Sequence, residues 1–220
     1  MLKITGRKFS AFLFDMDGTI LDSAVVASRV WTEWAVRQGL DVEAFLPTIP
    51  GVRAIETIAR LALPGIDAAY EADEITRAEI ADVEGIHPID GAVTFLASLP
   101  SQNWAIVTSS PRELALRRLA AVGIPVPAVI VTGEDVAQGK PAPDCFQLAA
   151  KRLGVDVRDC LVFEDAPAGI QAAEAAGAAV AVITATHRDP LETPHPTLVG
   201  YSGLKAVLDI EGGIRLLQAD

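Results

Sequence analysis

Four short stretches of the chain carry residues whose types and spacing could do chemistry on an anion. In Asp15-Met16-Asp17-Gly18-Thr19, two carboxylates stand two residues apart directly behind the apolar run Phe9 to Phe14. If that run is a strand, side chains alternate between faces, so Asp15 and Asp17 leave the sheet on the same side. Carboxylates so placed repel unless a cation or a shared proton lies between them. Gly18 permits a tight turn, and Thr19 suits the start of a helix. Taken alone, the pentapeptide reads equally well as a strand closed by an Asp-Gly turn. Thr108-Ser109-Ser110 offers hydroxyls and helix N-terminal amides to an anion. Gly139-Lys140-Pro141 supplies a fixed cation, and Glu164-Asp165 returns a second pair of carboxylates.

These stretches meet only if the elements before them run side by side. From residue 90 onward, short β-branched runs alternate with helical stretches, the rhythm of crossover units on a parallel sheet. Trp104 to Thr108, Ala128 to Val131, Cys160 to Phe163 and Ala178 to Ile183 are the predicted strands, with Phe9 to Phe14 as the first. Proline opens and glycine closes the helices between them, Pro143 with Gly154 and Pro167 with Gly177. Ser110-Pro111-Arg112-Glu113 reads as a capping box, with Ser110 as the N-cap. In a parallel sheet the four polar stretches then gather at one edge, where open α/β sheets bind ligands.

Between the first strand and residue 88 the spacing is helical, with no convincing strand. Val30, Trp31 and Trp34 share one face, Ile55, Ile58, Ala59 and Leu61 another, and Asp67 to Gly85 makes a third helix. The expected architecture is therefore α/β, a Rossmann-like core of 1–20 and 89–220 with an all-helical cap, 21–88, inserted over the strand ends.

Composition narrows the partners. The chain has 220 residues, half of them apolar, so it can bury a substantial core without disulfide or metal. Eighteen basic against 29 acidic residues give a net charge of −11, which disfavours nucleic acid and anionic membranes. Two cysteines, Cys145 and Cys160, make no disulfide framework and fit a reducing compartment, so the cytoplasm is expected. Phe9 to Phe14 is too short for a secretory signal, and Ala168 to Thr186 reads as helix, glycine and strand, not as a membrane span. A monomer or weak dimer is expected.

The order DMDGT, TSS, GKPAPD, FEDAPAG resembles the haloacid dehalogenase superfamily, specifically its phosphatases with a helical cap, from Phe9 to about Ile183. Within it the chain is most similar to sugar and polyol phosphatases, with the phosphoglucomutases near. The resemblance implies that Asp15 is the nucleophile forming an aspartyl phosphate, and that Asp17 protonates the leaving alcohol and then deprotonates water. It implies Mg²⁺ held by Asp15, the Asp17 carbonyl and Asp165, with Glu164 in support. Thr108, the amide of Ser109 and Lys140 would bind phosphoryl oxygens. Gly51 and Arg53 would form a substrate loop in the cap, and the partner would be a small phosphorylated metabolite. A phosphosugar mutase is the alternative, and a catalytically idle binding protein a more distant one. True dehalogenases lack an aspartate at Asp17, and a phosphonatase would need a cap lysine, which 21–88 lacks. Arg112, His87 and His187 read as surface residues, Trp31 and Trp34 as cap core, and Cys145 as packing.

Overall fold

The computed structural model describes residues 4–189, 191–210 and 212–218. The chain opens with β1 (Lys8–Phe9), β2 (Ala11–Phe14) and β3 (Leu21–Asp22). Four helices follow, α1 (Ala24–Arg37), α2 (Val42–Phe45), α3 (Ala54–Arg60) and α4 (Ala68–Ala81). Then come β4 (His87–Pro88), α5 (Ala92–Ala97), β5 (Trp104–Val107), α6 (Arg112–Val122), β6 (Val129–Val131) and α7 (Asp144–Leu153). The remainder is β7 (Cys160–Glu164), α8 (Pro167–Ala176), β8 (Ala179–Ile183), β9 (Thr197–Leu198), β10 (Leu204–Leu208) and β11 (Ile214–Gln218).

A parallel six-stranded sheet in the order β6-β5-β2-β7-β8-β9 forms the centre, as the α/β rhythm predicts. Its strands are buried on both faces, and their alternation sorts side chains by size. Phe12, Phe14, Ile106 and Phe163 fall on one face; Ala11, Leu13, Ala105, Val107 and Val162 fall on the other. The small face lets the alanine-rich α8 and the Ala149 and Ala150 side of α7 approach closely. The large face is filled by stacked rings, with Phe14 and Phe163 centroids 4.6 Å apart and Phe95 on Tyr201 at 5.4 Å. Glycines in the left-handed region close α7 and α8 at Gly154 and Gly177. Pro167 opens α8 from within, whereas Pro143 stands one position outside α7 as its N-cap.

The predicted strand Phe9 to Phe14 is split at Ser10. The amide of Ser10 bonds Asp159, and Lys8–Phe9 turns to pair with β11 in a separate antiparallel sheet, β1-β11-β10. Strand β11 competes for the edge that Phe9 would have offered to the main sheet, which the local pattern does not reveal.

The helical insertion has its own core. Trp31, Trp34 and Ala35 of α1 pack on Phe45, Ile58, Ala72 and Ile75, and Trp34 Nε1 donates to Glu71 at 2.8 Å. The face expected from Ile55, Ile58, Ala59 and Leu61 is rotated: Thr57 and Ile58 are buried while Ile55 and Ala59 are exposed, because α3 ends after two turns and presents only its Ile58 side to α4. A two-residue ribbon, Leu21 opposite Pro88 and Asp22 opposite His87, joins the insertion to the sheet, where no strand was expected. Among the described residues no helix is long and apolar enough to cross a membrane.

Candidate active site

The strand order makes the site. Strand β2 lies between β5 and β7, with Phe14 opposite both Ile106 and Phe163, so Asp15, Thr108 and Glu164 leave the sheet side by side. The Asp15 amide bonds the Phe163 carbonyl at 3.0 Å, and the Thr108 amide bonds that of Val131 at 2.9 Å. Lys140 enters from the loop before α7. It is 2% exposed, and its Nζ donates to Asp15 Oδ1, to Glu164 Oε1 at 2.8 Å and to the Val107 carbonyl at 3.2 Å. Asp165 accepts from Thr19 Oγ1 at 2.9 Å, and Glu164 Oε2 accepts from the amides of Asp165 and Ala166 at 2.7 Å each.

Two glycines are fixed by this crowding. A Cβ on Gly18, whose φ is +86°, would lie 2.1 Å from Asp165 Oδ2. One on Gly169 would lie 1.6 Å from Glu164 Oε1. Either substitution would push a buried carboxylate out of place.

Asp15, Glu164 and Asp165 are buried and offer carboxylate oxygens that all lie within 4.8 Å of one another. Burial pushes the Asp15 carboxyl up to about 8 against the pull of Lys140. Burial, with Glu164 and Asp15 beside it, raises Asp165 well above the carboxylate range. Burial alone would lower the Lys140 ammonium, but Asp15 and Glu164 outweigh it and hold it above its ordinary range. Ionising all three acids against one ammonium would leave negative charge uncompensated, so Asp15 and Asp165 hold their protons unless a cation replaces them, and an all-oxygen donor set of this kind suits a hard cation such as Mg²⁺.

A cavity of about 380 Å³ opens over these groups, within the size range of small-molecule sites. Asp15, Asp17, Asp165, Thr108 and Ser109 line its floor, and Trp31, Gly51, Thr76 and Glu79 of the insertion line its roof. Asp17 is held by three side chains: Ser23 Oγ at 2.6 Å, Arg118 Nη1 at 2.9 Å and Ser110 Oγ at 3.1 Å. Ser110 is therefore not the helix cap the sequence suggests. Its hydroxyl gives its proton to a carboxylate, the stronger acceptor, and the first helical amide, that of Arg112, bonds Glu134 at 2.7 Å instead.

Arg53 also lies elsewhere than expected. It does not line the cavity but reaches across to the core, donating to the carbonyls of Gly133 (3.1 Å), Val136 (3.0 Å) and Ala137 (3.0 Å) and to Glu56. Three converging carbonyls and a carboxylate engage both terminal nitrogens of the guanidinium and leave Nε alone without an acceptor. Glu56 completes the latch by accepting from the Gly139 amide at 3.2 Å, next to Lys140. Gly51 does face the cavity, and its carbonyl accepts from Ser109 Oγ at 2.8 Å. Arg53→Ala should accordingly lower kcat/KM for a small aryl phosphate and for the best sugar or polyol ester in parallel, within about threefold of one another. A loss confined to the larger ester would restore Arg53 as a substrate contact.

His187 is half-buried and lines the cavity, with Nε2 2.9 Å from the Asp165 carbonyl, so it is not a plain surface residue. His87 is exposed, and Arg112 is largely so, paired with Asp135 at 3.4 Å. Cys145 is buried, its thiol pushed up to about 11 by burial, which suits packing and not reactivity. Sequence reasoning missed Arg118, Glu79, Ser23 and Tyr201. Burial raises the Glu79 carboxyl while Arg118 pulls it back; burial opposes the Arg118 charge, but Asp17 and Glu79 outweigh it and raise it. Tyr201 lies beneath the motif and donates to the Thr19 carbonyl at 3.1 Å.

A family model described as haloacid dehalogenase-like hydrolase matches residues 9–177. Over 188 residues the chain is 42% identical to hexitol phosphatase A of Escherichia coli (strain K12), covering 83% of this chain and 85% of that protein. It is 33% identical over 192 residues to glycerol-1-phosphate phosphohydrolase 1 of Saccharomyces cerevisiae, covering 81% and 76%. Among solved structures, β-phosphoglucomutase from Clostridium difficile superposes with a TM-score of 0.69 at 26% identity, covering 80% of this chain and 84% of the other.

Proposed function

The chain belongs to the haloacid dehalogenase-like hydrolases and is a phosphatase, and from that premise we propose that it hydrolyses a monophosphate ester of a small sugar or polyol with Mg²⁺. The observation that carries this reading is the convergence of Asp15, Lys140, Glu164 and Asp165 at one sheet edge beneath the cavity that the insertion roofs. Segment 21–88 serves in it as the cap.

Asp15, Glu164, Asp165 and the Asp17 carbonyl would hold the cation, whose charge, when bound, offsets the phosphate's and lets an anionic nucleophile approach. Asp15 attacks phosphorus with one carboxylate oxygen, and the ester P–O bond breaks. Asp17 gives the leaving alkoxide its proton, so the alcohol departs neutral. A water then attacks the aspartyl phosphate, Asp17 takes that water's proton back, and inorganic phosphate and free Asp15 result. Lys140, Thr108 and the Ser109 amide neutralise the equatorial oxygens where charge is spread. The insertion excludes bulk water, which would otherwise compete with Asp17 for the proton.

The experiment is phosphate release from a panel of sugar, polyol and two-carbon phosphates with and without Mg²⁺. Release with no transfer to a second sugar hydroxyl supports the hydrolase; isomerised sugar phosphate without free phosphate supports a mutase. Asp17→Asn separates the two half-reactions. An aryl phosphate needs no proton on its leaving group, so this variant should still phosphorylate Asp15 and then stall, showing a mass increase of one phosphoryl group on the intact protein. Lost turnover with no trapped phosphoenzyme would end the assignment of Asp17 as acid and base.

A further inference from the structure

The cavity wall away from Lys140 holds a charged pair whose only tie to the phosphoryl chemistry is the bond from Arg118 to Asp17. Glu79 of α4 and Arg118 of α6 are 6% and 4% exposed, both line the cavity, and Arg118 Nη2 lies 3.2 Å from Glu79 Oε1. Arg118 Nη1 is taken by Asp17 Oδ1 and, at 3.4 Å, by Ser110 Oγ. Its Nε and Nη2 make no hydrogen bond among the described residues, so the approach to Glu79 is an ion pair without hydrogen-bond alignment. The two nitrogens are covered, but the side chain lines the cavity, and a guanidinium with donors lacking acceptors gains by turning to an acceptor that a ligand brings.

We propose that Arg118 and Glu79 are specificity-determining residues that together grip one hydroxyl of the ester's uncharged tail and turn away tails carrying a second anion. This rests on the phosphatase reading and names the part of the molecule that reads the tail. The chemistry follows from the donor inventory: a guanidinium only donates, a carboxylate only accepts, and a hydroxyl does both. A hydroxyl entering beside the pair accepts from Arg118 and donates to Glu79. A carboxylate or second phosphate has only acceptors and would meet Glu79 as a like charge in a poorly solvated place.

The charge balance of the wall points the same way. Arg118 is the one arginine or lysine among the described lining residues, against Asp15, Asp17, Asp22, Glu79 and Asp165. Lys140 is committed to Asp15 and Glu164, and Arg53 to the core loop. Among the described lining residues, then, Arg118 is the sole arginine or lysine, and Asp17 and Glu79 already oppose its charge, which leaves no net positive charge for a second anion. Ser28, Thr76 and Trp31 complete that wall with hydroxyls and an aromatic surface, which suit a polyol.

The test compares kcat/KM, with Mg²⁺, for glycerol 1-phosphate and a hexitol phosphate against phosphoglycolate and 6-phosphogluconate. The wild-type chain should favour the neutral tails by about tenfold or more, since a misplaced charge or a lost charge-assisted hydrogen bond has roughly that effect. Glu79→Gln keeps the shape, removes the charge and should lower the neutral-to-acidic ratio by about tenfold. If a thermal melt shows that this variant does not fold, the pair Arg118→Lys with Glu79→Gln keeps a cation beside Asp17, removes the Glu79 charge and should lower the ratio likewise. Absence of a wild-type preference, or a ratio that moves less than about twofold in a folded variant, overturns the proposal. Phosphate release with an unmoved ratio removes only this proposal; no release from any ester removes the phosphatase reading, and the proposal with it.

Discussion

Asp15→Asn should leave a folded protein with less than about a hundredth of wild-type phosphatase turnover on every ester, including an aryl phosphate. Asparagine keeps the size of the side chain and can still lie beside Lys140, so the fold is spared, but its amide is not an anionic nucleophile. The same substitution removes one of the three buried carboxylates whose oxygens lie within 4.8 Å, so Mg²⁺ should also raise the melting temperature less than in the wild type. Phosphate release against time checks the first effect and a thermal melt the second. Turnover above that hundredth would remove Asp15 from its role.

The second large effect is on stability. Lys140 is buried against Asp15 and Glu164, and among the described residues no other fixed positive charge is paired with them. Lys140→Met removes that charge, and breaking a buried pair from one side typically costs about 3 to 5 kcal/mol. For a chain of this length that corresponds to a melting temperature lower by roughly 6 to 20 °C in the presence of a chelator. Mg²⁺ in excess should restore part of the loss, because it brings positive charge to the same carboxylates. Activity should stay low even then, as a phosphoryl oxygen loses its partner. A shift under about 2 °C in chelator would mean that protons, not Lys140, already neutralise the cluster.

The floor of the site was legible in the sequence because each part is contiguous and lies at the end of a strand or, for Lys140, in the loop that follows one. Asp15 to Thr19, Thr108 to Ser110, Lys140 and Glu164-Asp165 are each read from a local pattern, and one topological rule gathers them. The roof was not legible. Glu79 is a glutamate on an acidic amphipathic helix and Arg118 the last of three arginines on α6, and neither pattern differs from that of a solvated face. Their meeting depends on how the insertion sits on the core, which no local pattern encodes. The same ignorance misplaced Arg53, whose carbonyl partners at Gly133, Val136 and Ala137 lie eighty and more positions away. Ser110 followed a capping pattern faithfully, yet a carboxylate from the loop after β2 claimed its hydroxyl.

The ribbon of Leu21–Asp22 against His87–Pro88 brings the two ends of the insertion to adjacent, hydrogen-bonded positions, with the Ile89 amide also bonded to the Ile20 carbonyl at 3.1 Å. An excursion that departs and returns through one doorway can be exchanged for another without rethreading the sheet. A chimera carrying a relative's segment would keep the phosphoryl floor and inherit a foreign roof. Its compatibility would be decided at three seams: Arg53 on the 133–137 carbonyls, Ser109 on the Gly51 carbonyl, and Glu79 on Arg118. A donor that matches those seams supplies a new tail preference to an unchanged catalytic floor.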